Sequence, residues 1–318
     1  MKAFCISHVK DVDGVGAAAI VKAATGAKVL LSDYSSLLDD LRRVPHDVGV
    51  FVLCDLGSNN SNSREFLSRM RELASTAEVT YIDHHLMSDT TRQQLRKAGV
   101  RVVHDERECS SMLAYATYRD AIPEGAKLIA LMGAVTDYMD GSPMAVRLMD
   151  EADRQFVLLE ATMLAFAMAR RGSGSGFPKV AVEELSKMKR PHEIEGVPDC
   201  AVDQLSAAVR LEKEVRKEGK KMGRLAYAVT TQHSTGNVAK LLIGAFGVPV
   251  GVASSEQEKG WYEVSLRGTS ECKVHLGRVA SRISSKLGGN GGGHRKAAGC
   301  RIPVDKMNAL LLELKRRV

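Results

Sequence analysis

The sequence predicts an α/β protein: a doubly wound parallel sheet, then a helical linker, then a smaller α/β C-terminal domain. Three observations carry this expectation. Short apolar runs alternate with helix-compatible segments from residue 3 to residue 137, the strand signal vanishes between 142 and 223, and it returns at Leu225. The expected domains are therefore 1–141, 142–223 and 224–318, and at 318 residues more than one domain is the better prior.

Taken in order, the apolar run Ala3–Ser7 reads as a first strand; the residues from Met1 are too short and apolar-poor for a signal peptide. It leads into His8-Val9-Lys10-Asp11-Val12-Asp13-Gly14 and a small-residue helix to Lys22. Two acids at i, i+2 with a His just before them suit a hard or borderline cation, although Asp-x-Asp-Gly is also a turn or helix-cap pattern. Lys28–Leu31 is a strand and Ser35–Arg43 a helix. Residues 48–54, Val-Gly-Val-Phe-Val-Leu-Cys, form the strongest buried-strand signal, as expected of a central parallel strand covered on both faces. It exits at Asp55-Leu56-Gly57-Ser58-Asn59, where the acid is either a loop cap or a group held over the middle of the sheet. After helix Ser63–Ser75, strand Glu78–Ile82 delivers Asp83-His84-His85. A polar cluster directly after a β-rich run lies at the carboxyl edge, where open α/β sheets place their chemistry. Helix Thr90–Ala98, strand Val100–His104, helix Ser110–Arg119 and helix Glu124–Val135 complete this part. Asp137 follows with no strand before it, so its own context allows a plain helix terminus. Asp105 and Arg107, after the fifth strand, read as pocket lining or as an ordinary surface loop.

The middle of the chain reads as helix. Val146–Arg171 is one long amphipathic stretch whose apolar face offers a surface to a second copy; Gly172–Gly176 reads as a flexible connector. Ala201–Lys221 is a second helix, and its mixed charges from Arg210 onward read as a solvated face, with a nucleic-acid footprint as the alternative. Strand Leu225–Thr231, helix Gly236–Ala245, strands Val248–Ser254 and Trp261–Arg267 and helix His275–Lys286 follow. The run Gly288-Gly289-Asn290-Gly291-Gly292-Gly293-His294-Arg295-Lys296 then lets backbone N–H groups approach an anion that cations also face, before strand Cys300–Ile302. Arg267 ends a strand and presents a fork suited to phosphate oxygens.

Composition narrows the class. No apolar run is long enough to span a bilayer. Six scattered cysteines with no Cys-x-x-Cys pair argue against a disulfide framework or zinc site and fit a reducing cytoplasm. The formal charge of +7 suits an anionic partner such as a nucleotide or nucleic acid.

Together, His8-x-x-Asp11-x-Asp13-Gly14, Asp55, Asp83-His84-His85, Asp137 and Gly291-Gly292-Gly293-His294-x-x-Ala297-Ala298-Gly299 resemble, in their order, the DHH phosphoesterase superfamily, the RecJ-like and NrnA-like enzymes with a DHH-associated C-terminal domain. The resemblance covers roughly 1–140 and 224–318. It implies a catalytic domain with two Mn²⁺ per chain, Mg²⁺ or Co²⁺ being substitutes, under a substrate-binding domain. His8 and Asp11 would hold one ion; Asp13, His84 and Asp137 the other; Asp55 would bridge them. Asp83 would support a ligand ring and His85 would face the scissile phosphate. Arg267 and His294, with Gly291, Gly292 and Gly293, would grip the substrate. In many relatives the first Asp follows the His by four residues, whereas Asp11 follows His8 by three. The implied activity is manganese-dependent hydrolysis of short oligonucleotides or small nucleotide phosphates, cyclic dinucleotides and 3′-phosphoadenosine 5′-phosphate included. The alternatives are a RecJ-like exonuclease on longer single strands and a non-catalytic DHH-type nucleic-acid scaffold. No membrane partner is expected.

Overall fold

A computed structural model describes residues 2–57 and 63–318. Met1, and Ser58 and Asn59 of the loop predicted after the third strand, lie outside the described residues. The chain divides into two compact units, 1–205 and 206–318.

Strands β1 (Ala3–His8), β2 (Lys28–Ser32), β3 (Val50–Cys54), β4 (Glu78–Asp83) and β5 (Arg101–His104) form the sheet of the first unit. Their spatial order is β2-β1-β3-β4-β5 and every pairing is parallel. All five carboxyl ends therefore open on one rim. From β1 the chain winds outward to β2, then returns to β3 on the other side, which makes the β1–β3 gap a topological switch point. Side-chain alternation sorts the strands onto two cores. Cys5, Val52, Cys54 and Ile82 pack against α1 (Val12–Thr25), α5 (Ser110–Tyr118) and α6 (Ala126–Thr136). Phe4, Ile6, Phe51, Leu53, Val79 and Tyr81 pack against α2 (Leu37–Arg42), α3 (Ser63–Ala74) and α4 (Asp89–Lys97). The predicted doubly wound sheet is thus present, with helices on both faces.

Three expectations for the middle of the chain differ from the structure. The stretch 146–171 is two helices, α7 (Pro143–Met149) and α8 (Arg154–Arg171), because Asp153 caps α8 by accepting from the N–H groups of Gln155 and Phe156. The Gly-Ser run forms a tight turn instead of a spacer, with Gly172 and Gly176 at φ 76° and 78°. It leads into α9 (Phe177–Ser186), whose Phe177, Ala181, Val182 and Leu185 are buried in the α1-side core. Their helical spacing was obscured by the glycines just before them. The segment 142–223 is consequently not one connector. Residues up to 205 belong to the first unit, and the rest, with the C-terminal half of α10 (Val197–Glu218), to the second.

In the second unit β6 (Lys220–Met222), β7 (Leu225–Val229), β8 (Val250–Glu258), β9 (Trp261–Gly268), β10 (Asn290–Gly293) and β11 (Ala297–Pro303) form a sheet ordered β10-β11-β9-β8-β7-β6. Only β7 and β8 pair in parallel. Helices α11 (Thr235–Phe246), α12 (Leu276–Lys286) and α13 (Met307–Lys315) cover it. The glycine run, expected as a loop, pairs in part as the edge strand β10, Gly291 opposite Cys300 and Gly293 opposite Ala298. Among the described residues, no helix is long and apolar enough to cross a membrane.

Candidate metal centre

All five strand exits and two helix ends bring acids and imidazoles to the rim at the switch point. His8 is the last residue of β1. Asp11 caps α1, its Oδ1 accepting from Gly14 N at 2.9 Å, while its Oδ2 stands 2.8 Å from His8 Nδ1. The cap reading and the ligand reading of the Asp-x-Asp-Gly stretch thus describe one residue using its two oxygens differently. Asp13, two residues on, does not share Asp11's surroundings. The first turn of α1 directs it inward, where both its oxygens accept backbone N–H groups at the start of α5, from Ser110 and Ser111, each at 2.8 Å.

Asp55 leaves β3 with φ 56°, a left-handed conformation uncommon for a non-glycine residue. That turn aims its carboxylate between two groups. Oδ2 is 3.4 Å from His8 Nδ1, and Oδ1 is 3.3 Å from His84 Nε2 and accepts from Ser110 Oγ at 2.9 Å. His84 Nε2 also faces Asp137 Oδ2 at 3.4 Å and Asp13 Oδ2 at 3.9 Å. Asp137 sits at the C-cap of α6, where the helix dipole disfavours an anion.

His85 is held at both nitrogens. Nδ1 lies 2.7 Å from Asp83 Oδ1, whose other oxygen accepts from the Tyr81 hydroxyl at 2.9 Å. Nε2 lies 2.7 Å from the hydroxyl of Tyr34, whose ring also meets His8 edge-on. His104, at the end of β5, donates from Nε2 to the carbonyl of His85 at 2.7 Å.

Electrostatics favour a cation here. Burial alone would keep His8 and His84 neutral, but Asp11 and Asp55 around the first, and Asp55, Asp13 and Asp137 around the second, raise both to about 10. Burial likewise opposes ionisation of Asp55, yet His8 and His84 hold its carboxyl well below the usual range. Asp13 moves upward through burial and the Asp55 charge, and Asp137 is pushed up to about 8 by burial and Asp13. Buried acids crowded until one keeps its proton near neutrality are relieved by divalent charge. Ligand atoms of His8, Asp11 and Asp55 lie within 4.8 Å of one another, as do those of Asp13, His84 and Asp137, and those of Asp55, Asp83 and His85. Carboxylate mixed with imidazole suits manganese and its neighbours. The residues fit the group.

Several contributors escaped the sequence reading. Tyr34 and Asp33 follow β2, and Ser110 and Ser111 follow β5. A rule that every parallel strand exit shares one rim would have pointed to all four. Asp33 lies 3.8 Å from His8 Nε2 and is held ionised, against its burial, by Lys10. Asp105 and Arg107 instead pair with each other at 2.8 Å at the surface, the bland reading of that loop.

In the second unit, Arg267 lies on β9 opposite Ala297 of β11 and donates from Nη1 to the carbonyl of Leu266 at 3.0 Å. Gly291, Gly292 and Gly293 form β10, and His294 N donates to Ala297 O at 2.7 Å to close the hairpin. Gly293 has φ 124°, and a Cβ there would stand 2.6 Å from Ala297 O, so the turn requires glycine. Arg267 and His294 thus meet the same end of β11.

Comparison with known proteins places these features. The DHHA1 domain model matches residues 222–318. An uncharacterised protein of Methanocaldococcus jannaschii is 32% identical over 89 residues, 26% of this chain and 26% of that protein, so the match spans about a quarter of the relative's length. Among solved structures, the DHH domain of a member of a ribosomal-protein family has a TM-score of 0.74 at 14% identity, covering 99% of this chain and 86% of that one. The pGpG-specific phosphodiesterase PggH of Vibrio cholerae gives 0.60 at 13% identity, covering 99% and 98%. RecJ of Thermus thermophilus in complex with Mn²⁺ gives 0.65 at 17% identity, covering 99% of this chain and 52% of RecJ. At these identities the likeness is one of fold.

Proposed function

We propose, from the premise that a DHHA1 domain here follows a DHH-type fold, that the chain is a manganese-dependent phosphodiesterase acting on short oligonucleotides or small nucleotide phosphates. The observation that carries the reading is Asp55: one carboxylate turned by a left-handed backbone so that each oxygen faces a different His-Asp group. His8 and Asp11 would hold one ion, Asp13, His84 and Asp137 the other, with Asp55 shared. Divalent ions held by these residues would supply an activated water and a clamp on the phosphate oxygens.

The protein's own part is positioning and proton management. The α5 backbone fixes Asp13, so one ligand needs no reorganisation. Asp83 raises the pKa of His85 against its burial and holds Nδ1, which leaves Nε2 to face a phosphate oxygen and, when protonated, to donate to it. That oxygen would take the place of the Tyr34 hydroxyl. Arg267 and the His294 hairpin are the proposed grip on the substrate, a guanidinium fork beside glycine N–H groups. The fold likeness to a pGpG-specific phosphodiesterase and to RecJ supports the reaction class.

The test is to incubate purified protein with short RNA, a cyclic dinucleotide and 3′-phosphoadenosine 5′-phosphate in Mn²⁺, Mg²⁺ and Co²⁺. Mn²⁺-dependent release of mononucleotide or phosphate from at least one is expected. No hydrolysis of any substrate with any metal would defeat the proposal.

A further inference from the structure

The two units differ sharply in charge. Residues 206–318 carry 21 Lys and Arg against 9 Asp and Glu, a formal +12, whereas residues 1–205 carry 24 against 29, a formal −5. The excess is concentrated. From Cys272 to Val304 there is no Asp or Glu, but seven cations: Lys273, Arg278, Arg282, Lys286, Arg295, Lys296 and Arg301. Arg301 is neutralised by Glu258 and Glu263. The other six are exposed, and none enters an ion pair identified among the described residues.

Their placement is ordered. α12 buries Leu276, Gly277, Ala280, Ile283 and Ser284, so it presents Arg278, Arg282 and Lys286, at i, i+4 and i+8, on its outer side. That row spans about 12 Å. Its first turn is tied to the glycine hairpin: Leu276 N donates to Arg295 O and Gly277 N to His294 O, each at 2.9 Å. Arg295 in turn donates to Lys273 O at 3.2 Å. Lys273, Arg295 and Lys296 thus form a cluster beside His294, and the α12 row continues away from it.

We infer that this acid-free row on α12 is a track for the phosphate backbone of a single-stranded nucleic acid, contacting phosphates beyond the one gripped at Arg267 and His294. The inference deepens the phosphodiesterase reading and rests on it for the identity of the polyanion. It selects oligonucleotides of several residues over small nucleotide phosphates as the preferred substrate class. A lone phosphate would use one or two of these cations, whereas a strand uses the row. Contacts of this row to phosphates are electrostatic, so the affinity they contribute should be salt-dependent and indifferent to sequence.

The experiment measures binding of fluorescently labelled 3-nucleotide and 12-nucleotide RNA to the full chain in EDTA, so that no turnover is involved, across a salt series. Wild type and an R278Q/R282Q/K286Q variant are compared after circular dichroism and melting show equal folding. Wild type should bind the 12-mer more tightly than the 3-mer. The triple variant should lose about 2 units of the slope of log affinity against log salt on the 12-mer, near 0.7 for each cation removed. Unchanged 12-mer affinity and slope in a folded variant would overturn the inference. So would a loss confined to anionic lipid vesicles or polyglutamate, run as parallel arms. Because binding is read without metal, absence of hydrolysis would refute the enzymatic reading and leave this result legible by itself.

Discussion

At the level of single residues, Asp55 does two things with one side chain. Its left-handed backbone costs about 1–3 kcal/mol and turns its two oxygens toward different partners. Asp55→Asn should therefore empty both positions together, seen as loss of both manganese equivalents by elemental analysis and a fall in turnover of at least about a hundredfold. Retention of one full equivalent would show that the two groups are not bridged. Tyr34→Phe removes the partner of His85 Nε2 while keeping the ring that meets His8. Metal content should stay unchanged, kcat should drop by roughly tenfold, and the limb of the pH profile assigned to His85 should move. The ligand candidates were legible because acids at strand exits stand out against apolar runs. Tyr34, Ser110 and Ser111 were not, since a tyrosine after an ordinary strand and a serine pair opening a helix have commonplace structural readings. Only the fold reveals that Asp13 spends both oxygens on that helix start.

At the level of elements, the site depends on how closely three helices approach. Gly133 of α6 faces the start of α5, and a Cβ there would fall 2.0 Å from Ser111 Oγ and 2.6 Å from Asp13 Oδ1. Gly133→Ala should destabilise the protein by about 1–3 kcal/mol, read by denaturant titration, and weaken metal binding as Asp13 is displaced. An alanine variant with native stability and affinity would show that α6 has room to move. The strands of the first sheet were readable to within two residues at either end, because buried parallel strands are continuously apolar and end abruptly in polar rim residues. The helices after Asp137 were less so. A single Asp at position 153 splits what periodicity joined, and a Gly-Ser run that composition assigns to a linker instead aims α9 into the core.

At the level of the whole molecule, charge and protonation make cation binding and stability one measurement. His8 and His84, raised to about 10, stabilise the metal-free fold fully below pH 6.5, and that contribution is lost as pH climbs through 10. The same two rings must surrender their protons to become ligands, and Asp137, pushed up to about 8, must do likewise. Mn²⁺ should accordingly raise the melting temperature, with about 2.7 kcal/mol of stabilisation per site at a hundredfold excess over Kd. The increment should grow from pH 6.5 to 9 and be accompanied by proton release in calorimetry run in two buffers. An increment that shrank with rising pH would mean that these imidazoles are not displaced from their carboxylate partners. The rim draws on residues from His8 to Asp137, separated by most of the first sheet's length in sequence. No shorter stretch contains all of these residues, so a chain cut or stalled before α6 ends has no complete cage, and the ring of ligand candidates closes only once α6 has docked.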